Sequence, residues 1–208
     1  MGNTERMAAV AAKLRETSFY VMPASTKYHN NFSGGLFDHC SSVWNNLEKL
    51  TKALDLKWQD ESSPFVIAML HDACKIDAYF YNADYGCWEH DDEHPEGHGD
   101  LSLKIAEQLG IELTDEEKAC IRWHMGAFDD KENWSNYTNA IHQYPNVLWV
   151  HTADMMSAHI DELNSFNKDD LRHMFETCDS IKPIPAIDVS MASSFTDMFA
   201  AKEDINNA

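Results

Sequence analysis

The chain has 208 residues, 44% of them hydrophobic and 25% charged, with a formal net charge of -19. Length and balance suit one globular domain that buries its own core without disulfides. The charge argues against a protein that grips a long nucleic-acid backbone, which needs Lys and Arg against phosphates. Small anionic ligands stay open, because a metal and a few cations can make a local positive pocket.

Residues 3–17 have an amphipathic pattern in Met7, Val10 and Leu14 that predicts a first helix. The segment FYVMPASTKYHNNFSGG, rich in Pro, Ser, Asn and Gly, reads as a structured loop. A helix follows from Leu36 to Leu54, with Val43, Leu47, Leu50 and Leu54 on one face. Residues 63–74, SPFVIAMLHDAC, open on Ser63 and Pro64, a good helix start, and their apolar run predicts a central, buried helix. Residues 78–90 are aromatic around a turn-like Asn-Ala-Asp and predict a short hairpin. After the acidic, His-rich loop DDEHPEGHGD, a helix is expected over 99–109, ending at Gly110. Thr114 and Glu117 form a capping box for a helix reaching about Met125. Pro145 and Asn146 precede VLWVHTADMM, a second candidate for a buried helix. After about residue 164 the pattern weakens, Pro183 and Pro185 break it, and the polar end is expected to fray.

The fold class expected is therefore all-α: a helical bundle with one small β-hairpin, in a single domain over 1–208. Cys40, Cys74, Cys87, Cys120 and Cys178 contain no CxxC pair and read as reduced thiols. There is no long apolar run at the N-terminus, and Arg6 stands where a myristoylation signal needs Ser or Thr. No stretch approaches the roughly 18 apolar residues of a membrane span. The expected setting is the cytoplasm, with no membrane partner.

The chemistry lies in the placement of His and Asp. His71 and Asp72 end a very apolar helix, Asp154 sits inside another apolar run, and His39 lies early in a third helix after a Gly-Gly turn. Charged and imidazole groups are poor choices for a dry core unless paired or metal-bound. Three helices that each place such a group at an apolar position are how bundle cores build metal sites. Read singly, each residue has a plainer role: a hydrogen-bonded core histidine or a structural ion-pair carboxylate.

GGLFDH (34–39), LHDACK (70–75) and LWVHTAD (148–154) resemble, in order and spacing, the successive motifs of the HD superfamily of metal-dependent phosphohydrolases, whose signature is H…HD…D. PEGHGDLS (95–102) and IRWHMG (121–126) are similar to the intervening histidine motifs of HD enzymes that hold two metals. PASTKYHNN (23–31) before GGL resembles a subgroup found in bacteria and their phages. The resemblance covers about 20–160 and leaves 165–208 as a C-terminal extension whose role is open.

The resemblance implies an HD-domain helical bundle in which His39, His71, Asp72 and Asp154 ligate one divalent metal. Asp72 would bridge to a second, with His98 and His124 as further ligands or, alternatively, as contacts to substrate phosphate. Asp72 and Lys75 would be the catalytic pair, Lys75 neutralising the phosphate. Lys27 and His29 could touch substrate or simply face water. Nitrogen and oxygen donors without thiolate suit Mn, Fe, Co, Ni, Zn or Mg, with one or two ions per chain. The activity implied is hydrolysis of a small phosphate ester, a nucleotide or nucleoside phosphate, by metal-activated water. Two alternatives stand beside it. One is a phosphodiesterase or 3′-to-5′ exonuclease, because the same motifs and ADMMSAHI resemble the HD domain of certain bacterial exoribonucleases. The other is a nucleotide-binding module without turnover. A homo-oligomer is neither signalled nor excluded.

Weaker features get plainer readings. Arg122 is expected in a salt bridge rather than in the site, and His151, three residues before Asp154, could orient a ligand. His90 and His94 read as part of a solvated loop. Cys40 and Cys74 read as buried packing residues. Tyr79, Tyr81, Tyr85 and Trp88 would stack on a base or cap the core.

Overall fold

The computed structural model describes residues 2–27, 30–95, 97–128 and 131–161. All belong to the first of two units, Met1–Ser165; the C-terminal extension, including Cys178, Pro183 and Pro185, lies outside the described residues, as does His29. Among the described residues there are seven α-helices: α1 (Asn3–Arg15), α2 (Gly35–Leu54), α3 (Ser63–Leu70), α4 (His98–Gln108), α5 (Asp115–Arg122), α6 (Trp134–Gln143) and α7 (Asn146–Met156). Strands β1 (Tyr79–Asn82) and β2 (Cys87–His90) pair antiparallel, Tyr79 opposite His90 and Asn82 opposite Cys87. The fold is mostly helical with one small hairpin, as the hydrophobic periodicity predicted.

All eight residues of α3 are buried. The helix starts on Ser63 and Pro64, where the missing Pro N–H costs nothing. Around it, α2 packs on α3 and α7, while α5 packs on α3, α4 and α7. Val43 and Leu47 of α2 are fully buried, as are Val147, Val150 and Ala153 of α7.

Four local expectations are corrected, and one further element was not expected. The helix expected over 63–74 ends at Leu70; the chain turns at Asp72 (φ −106°, ψ 22°) into a 3-10 turn, Ala73–Ile76. The helix expected to reach Met125 ends at Arg122, leaving His124 in the turn beyond. The run at α7 is not buried all round, since Leu148 is 37% exposed, and at the end of α2 Leu54 leaves the core at 47%. Finally, α6 forms in a stretch to which the sequence pattern assigned no element.

Candidate metal centre

Three turns bring the polar groups together. The Gly34–Gly35 turn starts α2 so close to the preceding loop that a Cβ on Gly35 would collide with the Asn30 carbonyl. This fixes the entry of α2 and puts His39 one turn in. The end of α3 delivers His71 and Asp72. The end of α5 delivers His124, and Gly99 of α4 lies against it so tightly that a Cβ would strike the Arg122 carbonyl. Asp154 comes from the last full turn of α7.

The side chains converge in the interior. His39, His71, Asp72 and His124 are 1%, 0%, 3% and 0% exposed. His39 Nε2 lies 3.2 Å from His71 Nε2 and 3.2 Å from Asp154 Oδ1. Asp72 Oδ2 is 3.5 Å from both of these imidazole nitrogens, and His71 Nε2 is 3.9 Å from Asp154 Oδ1. His124 Nε2 is 3.7 Å from the other Asp72 oxygen, Oδ1.

The opposite side of each ring is already engaged. His71 Nδ1 donates to the Ala68 carbonyl and His124 Nδ1 to the Ile121 carbonyl, each at 2.8 Å. A carbonyl only accepts, so the ring proton is assigned to Nδ1 and the lone pair to Nε2. His39 Nδ1 lies 3.1 Å from Ser157 Oγ, whose own proton goes to the His39 carbonyl, so the same assignment holds. With Nδ1 engaged outward in each ring, the Nε2 atoms of His39, His71 and His124 all face inward beside two carboxylates.

Lone pairs and carboxylates do not satisfy one another. A proton on His39 Nε2 could serve Asp154 or His71, but His124 Nε2 would still be buried without a partner. A buried polar atom left so costs about 1–3 kcal/mol. One or more cations would satisfy the whole set. The His39–His71 separation also matches the edge of a coordination shell, since two nitrogens about 2.0–2.1 Å from a tetrahedral ion sit about 3.3 Å apart. The buried trio His39, His71 and Asp72 could hold a metal ion, and so could a second trio, Asp72, Cys74 and His98.

The electrostatics point the same way. Burial, helped by His124 and His39, pushes His71 down to about 4 against the pull of Asp72 and Asp154, keeping it a neutral donor. For His39 burial also opposes charge, but Asp154 and Asp72 outweigh it and raise the group above its ordinary 6.5. Burial likewise disfavours the charged forms of Asp72 and Asp154. Lys75 and the histidines overcome this for Asp72, and His39 and His71 for Asp154, so both stay well below the carboxylate range. The Cys74 thiol is pushed up to about 12, chiefly by burial and then by Asp72.

Lys75 is not a surface lysine. It is 8% exposed, and its Nζ donates to Asp72 Oδ2 at 2.7 Å. Beyond it opens a cavity of about 590 Å³, lined among others by Lys75, Cys74, His98, Tyr79, His90 and Phe128.

The six histidines and aspartates expected as metal ligands thus fall in one region, five in direct contact around Asp72 and His98 beside them. Lys27 is exposed in the loop before α2, and its side chain makes no contact with these groups. Arg122 pairs with Asp100 and lies over the Trp123 ring, outside the ligand set. His151 Nδ1 donates to the His124 carbonyl at 2.8 Å and so props the turn that carries His124. His94 reaches Asp77 at 3.2 Å, and with His90 it lines the cavity rather than only a solvated loop. In the hairpin Tyr79 and His90, opposite each other at its base, line the cavity. Tyr81 and Tyr85 are 55% and 79% exposed, so they neither cap the core nor line the cavity.

Sequence reasoning missed two serines. Ser102 Oγ donates to the His71 carbonyl at 2.7 Å and accepts from the Cys74 amide at 3.1 Å, tying α4 to the turn after α3. Ser157 anchors His39. Both act between segments far apart in the chain, and neither sits in a local pattern that marks it.

No helix among the described residues is long and apolar enough to cross a membrane. Compared with protein-family models, curated proteins and solved structures, the chain matches none.

Proposed function

We propose that this chain is a metal-dependent phosphohydrolase that cleaves a small phosphate ester, with a nucleotide or nucleoside phosphate as substrate class. The observation that carries the reading is the buried convergence of His39, His71, Asp72, Asp154 and His124, in which His124 Nε2 has no partner. A structural cluster would have closed its own hydrogen bonds. The motif resemblance to the HD superfamily supports the same chemistry, and so do the nitrogen and oxygen donors, which suit Mn, Fe, Co, Ni, Zn or Mg.

In this reading His39, His71, Asp72 and Asp154 hold one divalent ion. Asp72 is shared with a second, which His98 and His124 complete. Such ions supply Lewis acidity that makes water a nucleophile near neutral pH and polarises a phosphoryl oxygen. The protein's own part is positioning and charge. Asp72 holds the Lys75 ammonium at the cavity wall, where it offsets the charge of an entering phosphate. A volume of about 590 Å³ lies within the range of small-molecule sites, and the rings of Tyr79, His90 and Phe128 give a base surfaces to lie against.

The test is metal content and phosphate release on the full chain reconstituted with Mn, for wild type, His71→Ala and Asp154→Ala. Bound metal and turnover of nucleoside phosphates in the wild type, lost together in both variants, is the expected result. Processive shortening of a labelled oligonucleotide would move the reading to an exonuclease. Tight nucleotide binding with no product in any metal would move it to a binding module. A wild type that takes up no metal would overturn it.

A further inference from the structure

We infer that Cys74 is a metal ligand, its thiolate joining Asp72 and His98 in a cation position softer than the one formed by His39, His71 and Asp154. The inference rests on the metal-centre reading above and adds to it a sulfur donor that neither the motif pattern nor the nitrogen and oxygen set contains. Cys74 Sγ lies 3.5 Å from His98 Nδ1. The donor atoms of Asp72, Cys74 and His98 all lie within 4.8 Å of one another. A sulfur about 2.3 Å and a nitrogen about 2.0–2.1 Å from a tetrahedral ion sit about 3.5 Å apart, which is the separation found.

The thiol is held in place for this. Its backbone N–H is tied to Ser102 Oγ, and Ser102 in turn to the His71 carbonyl, so the 3-10 turn presents Sγ and Asp72 from one rigid segment. A residue kept only for packing would face hydrocarbon. Sγ instead faces a ring nitrogen at the end of the cavity. An independent observation also points to a cation on this carboxylate. His39, His71 and Lys75 crowd Asp72 Oδ2, whereas Oδ1 faces His124 Nε2, which is buried and unpartnered.

Binding exchanges one proton for the ion: the S–H bond breaks, a metal–sulfur bond forms, and the proton leaves to solvent. A thiolate among the donors shifts preference from Mg and Mn toward Zn, Co and other softer ions.

Cobalt(II) titrated into the metal-stripped full chain tests this by absorbance. The expected result is visible ligand-field bands together with a near-ultraviolet thiolate-to-cobalt charge-transfer band. The charge-transfer band should vanish in Cys74→Ser and persist in Cys40→Ala, while the visible bands survive in both. Cadmium NMR on the wild type gives the same answer without a variant, because a sulfur ligand moves the resonance far downfield of nitrogen and oxygen sites. Visible bands without charge transfer, or a charge-transfer band that survives Cys74→Ser, would overturn the thiolate ligand and leave the metal centre standing. No cobalt uptake at all would overturn both.

Discussion

The interior holds two buried polar clusters of opposite character. Around Glu117, every valence is closed. Arg6 makes a bidentate pair with it, both contacts at 2.7 Å, and Ser63 Oγ and the Thr114 amide each add a bond at 2.8 Å. These four donors join α1, α3 and the capping box of α5. Around Asp72, a single hydrogen bond from Lys75 is short, and the nearest other groups are imidazole nitrogens 3.5–3.7 Å away, one of which, His124 Nε2, has no partner. Both carboxylates are almost fully buried, so burial does not separate structure from function. Saturation does. A carboxylate with its donors in place holds helices together; one that faces imidazole nitrogens, one of them unpartnered, could hold a cation.

The largest effect expected from this contrast is at the saturated cluster. Glu117→Ala leaves the Arg6 guanidinium with only Asp60, Ser62 and the Glu112 carbonyl, and removing one partner of a buried pair costs about 3–5 kcal/mol. Because the Arg6 side chain keeps 17% exposure, the low end of that range is expected. Chemical denaturation should show this loss, while the folded fraction keeps its full metal content. Loss of metal together with stability would mean that the two clusters are not separate.

The next effect is a pH dependence peculiar to the unsaturated cluster in metal-free protein. His71 sits at about 4 in the fold against an ordinary 6.5, so the unfolded chain binds the proton first on acidification. Stability is then lost as pH falls from about 6.5 to about 4, on the order of 3 kcal/mol for this one group. Asp72 and Asp154, both lowered, add losses of the same sign below the ordinary carboxylate range. His39 is raised and runs the other way: its contribution is full below 6.5 and disappears as pH rises through its folded value. Denaturation of chelated wild type and His71→Gln across this window should give a flatter curve for the variant. Parallel curves would show that His71 is not held neutral.

A third, smaller effect separates position from ligation. Ser102→Ala removes one hydroxyl that serves both the His71 carbonyl and the Cys74 amide, at a cost of about 1–3 kcal/mol. Ser102 orients the Cys74 thiol and the His71 backbone without being a ligand itself, so metal should still bind, but about 10–100-fold more weakly, as for other groups that orient ligands. Isothermal titration with zinc reads that ratio. Unchanged affinity would make Ser102 a purely structural hydroxyl.

How much of this was legible in the sequence follows from the range of each signal. His39, His71, Asp72 and Asp154 stood out because each interrupts an apolar helical pattern, a contrast visible within a few residues. The capping box of α5 was equally local. The turn at Asp72 was not, since SPFVIAMLHDAC has no breaker, and what captures the His71 carbonyl is Ser102 from α4. The partial exposure of α7 was hidden for a similar reason: an apolar run cannot say how many sides its neighbours cover. Cys74 read as packing because no CxxC partner lies near it in the chain, whereas its neighbour in space is His98.

The smallest stability effect is expected at His124, a residue of the proposed metal centre. His124 is fully buried, yet its inward nitrogen bonds to nothing; its Nδ1 contact with the Ile121 carbonyl and its edge-on packing against His71 are what the ring gives the fold. In metal-free protein, His124→Leu loses that one hydrogen bond but also removes an unsatisfied buried atom. The two terms oppose, so the net change should stay below about 1 kcal/mol in either direction. In metal-loaded protein the balance changes, because a ligand is lost and ligand-bound stabilisation falls with it. The melting temperature of wild type should therefore rise on adding zinc by clearly more than that of His124→Leu, while the two melt together in chelator. Equal responses to zinc would remove His124 from the ligand set. A chelated variant several kcal/mol less stable than chelated wild type would show that the imidazole is a core group, and that the cluster around Asp72 is as structural as the one around Glu117.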